Sequence, residues 1–222
     1  MEFRGPEPAD FRNVQSMNAA FLRHMRGSPS GHELRQQMAP EVRSMIRGLT
    51  DLQIERLSTA RFLLFSLRER DPNYWGLLGN DAPTSDLLSA THQADECGQL
   101  AAASLGFLWQ LARRNPYAAR LVSGATLNWC EQLAECTLLR VLQRTAGRSD
   151  LLRPRRAEDV AFWGKLLGPG LCSEREVRGA AQLSALQSVL TEDPAARYRS
   201  LRAAACRTAA PALFVAEEFD TP

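Results

Sequence analysis

Between Gly98 and Gly147 the chain carries two strongly apolar helical segments joined by a short connector, and nothing else in the sequence restricts the fold as much. In the first segment Leu100, Ala103, Ser104, Phe107, Leu108 and Leu111 recur at the three-to-four spacing of one helical face, with Leu105 and Trp109 on the other side. No charge falls between Leu100 and Ala112, so this helix is expected inside the protein with neighbours on both flanks. The second segment repeats the logic with Leu127, Cys130, Ala134, Leu138, Val141 and Leu142 in one stripe. Its Glu131 and Glu135 come early and its Arg140 and Arg144 late, the order that suits a helix dipole. In the connector, Asn115 is a good N-cap and Pro116 fits the first position of another helical turn.

A chain of 222 residues can bury a substantial core around such a pair. Its net charge of +2 gives no global bias toward nucleic acid or membrane, so any such binding must be local. Lys165 is the one lysine among 27 basic residues, a skew that reads as base composition rather than phosphate recognition. The opening residues lack the apolar core of a signal peptide, and no uncharged apolar run reaches the roughly 18 to 20 residues of a membrane span. A cytoplasmic protein with no membrane partner is the expectation. Cys97, Cys130, Cys136, Cys172 and Cys206 form no CxxC pair and read as free thiols.

Along the chain, residues 1–12 read as a flexible leader and 13–80 as an N-terminal helical interaction segment. Residues 81–206 read as the main bundle and 207–222 as a tail. Within the second of these, Gly48-Leu49-Thr50 is the clearest punctuation, a glycine C-cap followed by the Thr50 to Gln53 capping-box pattern. The spacing then predicts one helix from Asp51 to Arg70, closed by Asp71-Pro72. Its far half, Phe62 to Leu67, is apolar around much of its circumference and must be covered by the main body or by a second copy of the chain. Residues 147–156 read as a polar, arginine-rich linker. There are neither strand-like alternations of useful length nor a repeat at fixed period, so the fold class expected is all-α: a helical bundle with an N-terminal helical dimerisation or interaction segment.

The string Met17-Asn18-Ala19-Ala20-Phe21-Leu22, the helix ending Ile46-Arg47-Gly48-Leu49-Thr50, and Leu52-Gln53-Ile54-Glu55-Arg56-Leu57-Ser58 with the apolar run to Arg68 resemble the flagellar transcriptional regulator FlhD family. That family has a similar order: an Asn-containing leading helix, a helix closing on Leu-Thr, then a helix with Gln and Leu at corresponding places. The resemblance covers residues 17–68. It implies an all-α cytoplasmic bacterial regulator, not an enzyme, that dimerises and works on DNA with a second regulatory subunit.

The candidate sites follow from these readings. Ile54, Leu57, Phe62, Leu64 and Phe65 are the expected interface of a homodimer. Arg148, Arg153, Arg155 and Arg156, four cations beside Pro154, could present a sequence-blind, salt-sensitive phosphate patch for DNA. Trp109 and Trp129 could line a pocket between helices. His92 and Glu96, one helical turn apart beside Asp95 and Cys97, carry metal-ligand chemistry but no second half-site, so no metal is assigned. No glycine-rich phosphate loop, nucleophile elbow or HExxH occurs, and neither catalytic residues nor a cofactor are assigned. The competing expectations are a helical adaptor or chaperone-like module that touches no nucleic acid, and a helical ligand sensor.

Overall fold

The computed structural model describes residues 5–80, 95–146, 148 and 150–191. Among them the protein is all-α, with 72% helix and 2% strand, and residues up to Leu190 cluster as one compact unit. Among the described residues no helix is long and apolar enough to cross a membrane. The first half runs α1 (Pro8–Gly27), α2 (Pro29–Gln36), α3 (Pro40–Arg47), α4 (Asp51–Ser58), the two-residue strand β1 (Phe65–Ser66) and α5 (Pro72–Asn80). The second runs α6 (Glu96–Arg114), α7 (Pro116–Ser123), α8 (Leu127–Glu135), α9 (Leu138–Thr145), β2 (Arg153–Pro154), α10 (Val160–Leu167), a 3-10 turn at Pro169–Leu171 and α11 (Arg175–Leu190).

Proline at the first turn opens α1, α2, α3 and α7, where its missing N–H is no loss. Side-chain caps start others: Thr50 accepts from the Gln53 amide, Asn115 from those of Tyr117 and Ala118, and Thr126 from that of Trp129. The expected central pair is present, but its second member is two helices. Cys136 is extended (φ −70°, ψ 153°), and Thr137 then caps α9 by accepting from the Arg140 amide. Helix α1 begins at Pro8, so 8–12 of the leader expected at 1–12 is helical. The expected tail at 207–222, together with 81–94 and 192–206 of the expected main bundle, lies outside the described residues.

The largest departure is at residues 51–70. Helix α4 stops at Ser58, and the chain crosses the middle of the protein in extended and turn conformation before Pro72 restarts a helix. Its apolar side chains are covered from both sides by this same chain: Phe62 is 1% exposed, Leu64 and Phe65 are fully buried, and Phe21 of α1 lies 5.1 Å from Phe65 between ring centroids. The run is apolar on all sides because it is a core strand, a pattern that periodicity cannot separate from a buried helix.

Non-helical backbone inside a core needs partners for its amides and carbonyls. Asn18 of α1, fully buried, supplies several. Its Oδ1 accepts from the Leu64 amide at 2.9 Å, and its Nδ2 donates to the Phe62 carbonyl at 2.9 Å, with the Ser58 and Ala60 carbonyls at 3.4 and 3.3 Å sharing its two hydrogens. The Leu63 amide donates to the Val122 carbonyl at 2.9 Å, and β1 pairs with β2 in an antiparallel register, Phe65 with Pro154 and Ser66 with Arg153. Residues 13–80 therefore share one core with the rest, α1 packing on α4 and α6 together.

Replacing Asn18 with alanine leaves a buried amide and a buried carbonyl without partners. The expected loss is about 2–3 kcal/mol, read as a lower urea midpoint with unchanged slope.

Candidate functional site

The four linker arginines do not form a patch. Arg155 is 5% exposed and forms an ion pair with Glu69 (3.0 Å), while its Nε and Nη2 donate to the Leu63 and Phe65 carbonyls at 2.7 and 2.6 Å. The other Glu69 oxygen accepts from the Leu67 amide at 2.7 Å and the Ser66 hydroxyl at 2.8 Å. Arg156 pairs with Asp159 at 2.7 Å and donates to the Ser188 carbonyl at 3.0 Å, near the end of α11, where a cation is favoured. The Arg148 guanidinium lies 5.8 Å from the Tyr74 ring centre, and Arg153 is exposed on β2. Sequence adjacency placed these charges together, but the strand and the turn after it send them to different partners. This corrects the phosphate patch.

The dimer interface is corrected as well. Ile54, Leu57, Phe62, Leu64 and Phe65 are each no more than 1% exposed within the single chain, so a second copy could reach none of them without unfolding this one. Trp129 is buried, its ring centroid 5.4 Å from that of Trp75 in an edge-on arrangement, and Trp109 donates from Nε1 to the Cys136 carbonyl at 2.8 Å with Arg113 over its face. The Trp109 ring braces the break between α8 and α9, whereas the Trp129 ring packs against α5.

A cleft of about 550 Å³ opens instead between the end of α1, the start of α2 and the start of α6, lined by Arg23, His24, Ser28, Pro29, Glu96 and Leu100 among others. Here His24 Nδ1 lies 2.8 Å from Glu96 Oε2, and its Nε2 lies 2.9 Å from Cys97 Sγ and 3.4 Å from the Ser30 hydroxyl. The carboxylate can only accept, so Nδ1 carries the hydrogen, which leaves Nε2 facing the Cys97 thiol. Two close approaches make this possible. Gly31 lets α2 sit on the end of α1, since a Cβ there would lie 2.0 Å from the His24 carbonyl oxygen. Asp95 caps α6 by accepting from the Gly98 amide at 2.8 Å, which turns Glu96 and Cys97 toward His24.

The arrangement is a polar relay from the cleft to a thiol, not an exposed nucleophile. Cys97 is 4% exposed. Burial first, then the Asp95 and Glu96 carboxylates, push its pKa up to about 11, so the thiol stays protonated near neutral pH. Glu96 and Cys97 meet opposite nitrogens of one ring and cannot close on a single ion with it. Among the described residues no group of three or more His, Cys, Asp or Glu side chains could hold a metal. The sequence singled out Glu96 and Cys97, but beside His92, which lies outside the described residues. The histidine that reaches them is more than seventy positions earlier, a pairing that only the packing of α1 on α6 creates.

Thiol reactivity should follow burial. At pH 8, among the four cysteines of the described residues, iodoacetamide should label the half-buried Cys136 and Cys172 first, and leave unlabelled until urea unfolds the chain both Cys97 and Cys130, the latter with its pKa pushed by burial up to about 12. Peptide mass spectrometry reads the order, and Cys97 labelled as fast as Cys172 would mean that His24 activates it. Compared with protein-family models, with curated proteins and with solved structures, the chain matches none.

Proposed function

We propose that this protein is a cytoplasmic bacterial regulatory subunit, non-catalytic and similar to FlhD, that acts by binding a protein partner rather than through a DNA-contacting surface of its own. What supports the reading is that the residues carrying the resemblance build one structural unit. Asn18 of the leading helix holds the backbone at 58–64, and the Leu49-Thr50 turn, with its reciprocal Thr50–Gln53 cap, launches the helix that ends there. The loss of the arginine patch removes the reason to assign phosphate contacts, so DNA enters through the partner. Self-association through residues 54–65 is not part of the reading, because those side chains are core.

Two measurements test it. Deleting the gene should change transcript levels of motility or secretion operons, and complementation with an Asn18→Ala chain should restore them less well than wild type. Unchanged transcripts would count against a regulatory role. The purified chain alone should not retard a random duplex at about 50 mM salt, and a retarded band that fades steeply by 200 mM would return DNA contact to this chain.

A further inference from the structure

The same local structure occurs twice in the chain. Helix α3 begins on Pro40 and ends at Gly48, after which Thr50 caps α4. Helix α7 begins on Pro116 and ends at Gly124, after which Thr126 caps α8. The buried pair Ile54 and Leu57 on α4 stands where Cys130 and Leu133 stand on α8. Long helix α1 packs on α4 as α6 packs on α8.

The likeness is closest beyond these helices, where Leu63-Leu64 through Trp75-Gly76 parallels Leu151-Leu152 through Trp163-Gly164. Among the described residues Arg68 and Arg156 are the two non-glycine residues with positive φ, 54° and 46°. Each pairs with an aspartate three residues on, Asp71 or Asp159, at 2.7 Å. Each aspartate accepts from the amide three residues further, that of Tyr74 at 3.0 Å and that of Phe162 at 2.8 Å. Each arginine then lies over the ring it has positioned, Tyr74 or Phe162, and each ring meets the next tryptophan edge-on. A left-handed residue costs a non-glycine side chain about 1–2 kcal/mol, so two such residues in matching turns are not a local accident.

We infer that residues 8–80 and 96–168 are two copies of one helical unit, paired face to face about a pseudo-two-fold axis between β1 and β2, so that the protein is an isologous dimer contained in one polypeptide. The strand register carries the symmetry. Phe65 corresponds to Arg153 and Ser66 to Pro154, and the observed pairs, Phe65 with Pro154 and Ser66 with Arg153, exchange under that correspondence as an isologous contact requires. The copies differ by insertions at separate places, α2 in the first and α9 in the second. The surface on which a second copy of the unit would sit is therefore already occupied.

The symmetry breaks at the buried ion pair. Glu69 corresponds to Ala157 and Arg155 to Leu67. The Arg155 amide donates across the ladder to the Leu64 carbonyl at 3.1 Å, whereas its counterpart at Leu67 donates to Glu69. One glutamate and one arginine on opposite copies make the halves non-interchangeable, the role in specifying register best attested for buried charges.

The test exchanges residues across the axis. E69A and R155L each leave one charge buried alone, and each should raise the unfolding equilibrium constant by at least about 100-fold. The double variant E69A/R155L gives each copy the residue the other already carries, and should return to within about 10-fold of wild type. The mirrored variant L67R/E69A/R155L/A157E moves the pair to the other side of the axis, where Gly48 stands in the place of the Gly124 that makes room for Arg155. It should unfold cooperatively with a native helical circular dichroism spectrum. A double variant weaker than both single variants, or a mirrored variant with no cooperative transition, would overturn the inference. Light scattering should give wild type the single-chain mass of 24.7 kDa at all concentrations, and a dimer that survives dilution would overturn the claim that the pairing surface is filled.

Discussion

Residues 59–70 cross the centre of a helical protein as non-helical chain, and backbone placed there must be hydrogen-bonded or it will not stay. The protein meets that constraint with side chains more than with a sheet, because β1 and β2 supply only a two-residue ladder. Asn18 serves the backbone from 58 to 64, Arg155 serves the Leu63 and Phe65 carbonyls, and Glu69 serves the Leu67 amide. These three residues come from α1, from the chain after β2 and from the crossing segment itself. The crossing strand thus binds both halves into one cooperative core. Such a network is costly when half satisfied, so its members stand or fall together.

What the sequence disclosed follows the range over which its signals act. Thr50 and Asn115 with Pro116 operate within one helical turn, and the starts of their helices are legible from them. The uncharged run from Leu100 to Ala112 is likewise a local statement that one rod is surrounded, and α6 is that rod. The fate of Phe62 to Leu67 is not local. An apolar run of this length suits a buried helix and a buried strand equally, and the choice lies with Asn18 and Arg155, distant residues whose hydrogen bonds only the extended form can take.

The duplication escaped a search for a fixed period because α2 and α9 change the spacing between matching landmarks. Few apolar residues are conserved between the copies, whereas the capping threonines, the glycines before them and the arginine–aspartate turn are. The cleft was hidden for another reason. Glu96 and Cys97 were visible as a chemical pair, but His24 reaches them through the packing of α1 against α6. Equally, the nearness of Arg153, Arg155 and Arg156 in sequence misleads, since the strand ends at Pro154 and the chain turns through the positive φ of Arg156, which leaves Arg153 exposed and Arg155 buried.

The turns at Arg68 and Arg156 have a consequence for how such a chain can change over time. Glycine at either place would relieve the backbone but release the aspartate and uncover the aromatic ring, while any other long side chain would keep the strain and lose the charge. Only a residue that is both tolerably left-handed and cationic answers both demands, and asparagine or histidine would answer them in part. Each turn is therefore held in its present form by two opposed requirements, and substitutions there should be rarer than their half-exposed position on the surface would suggest.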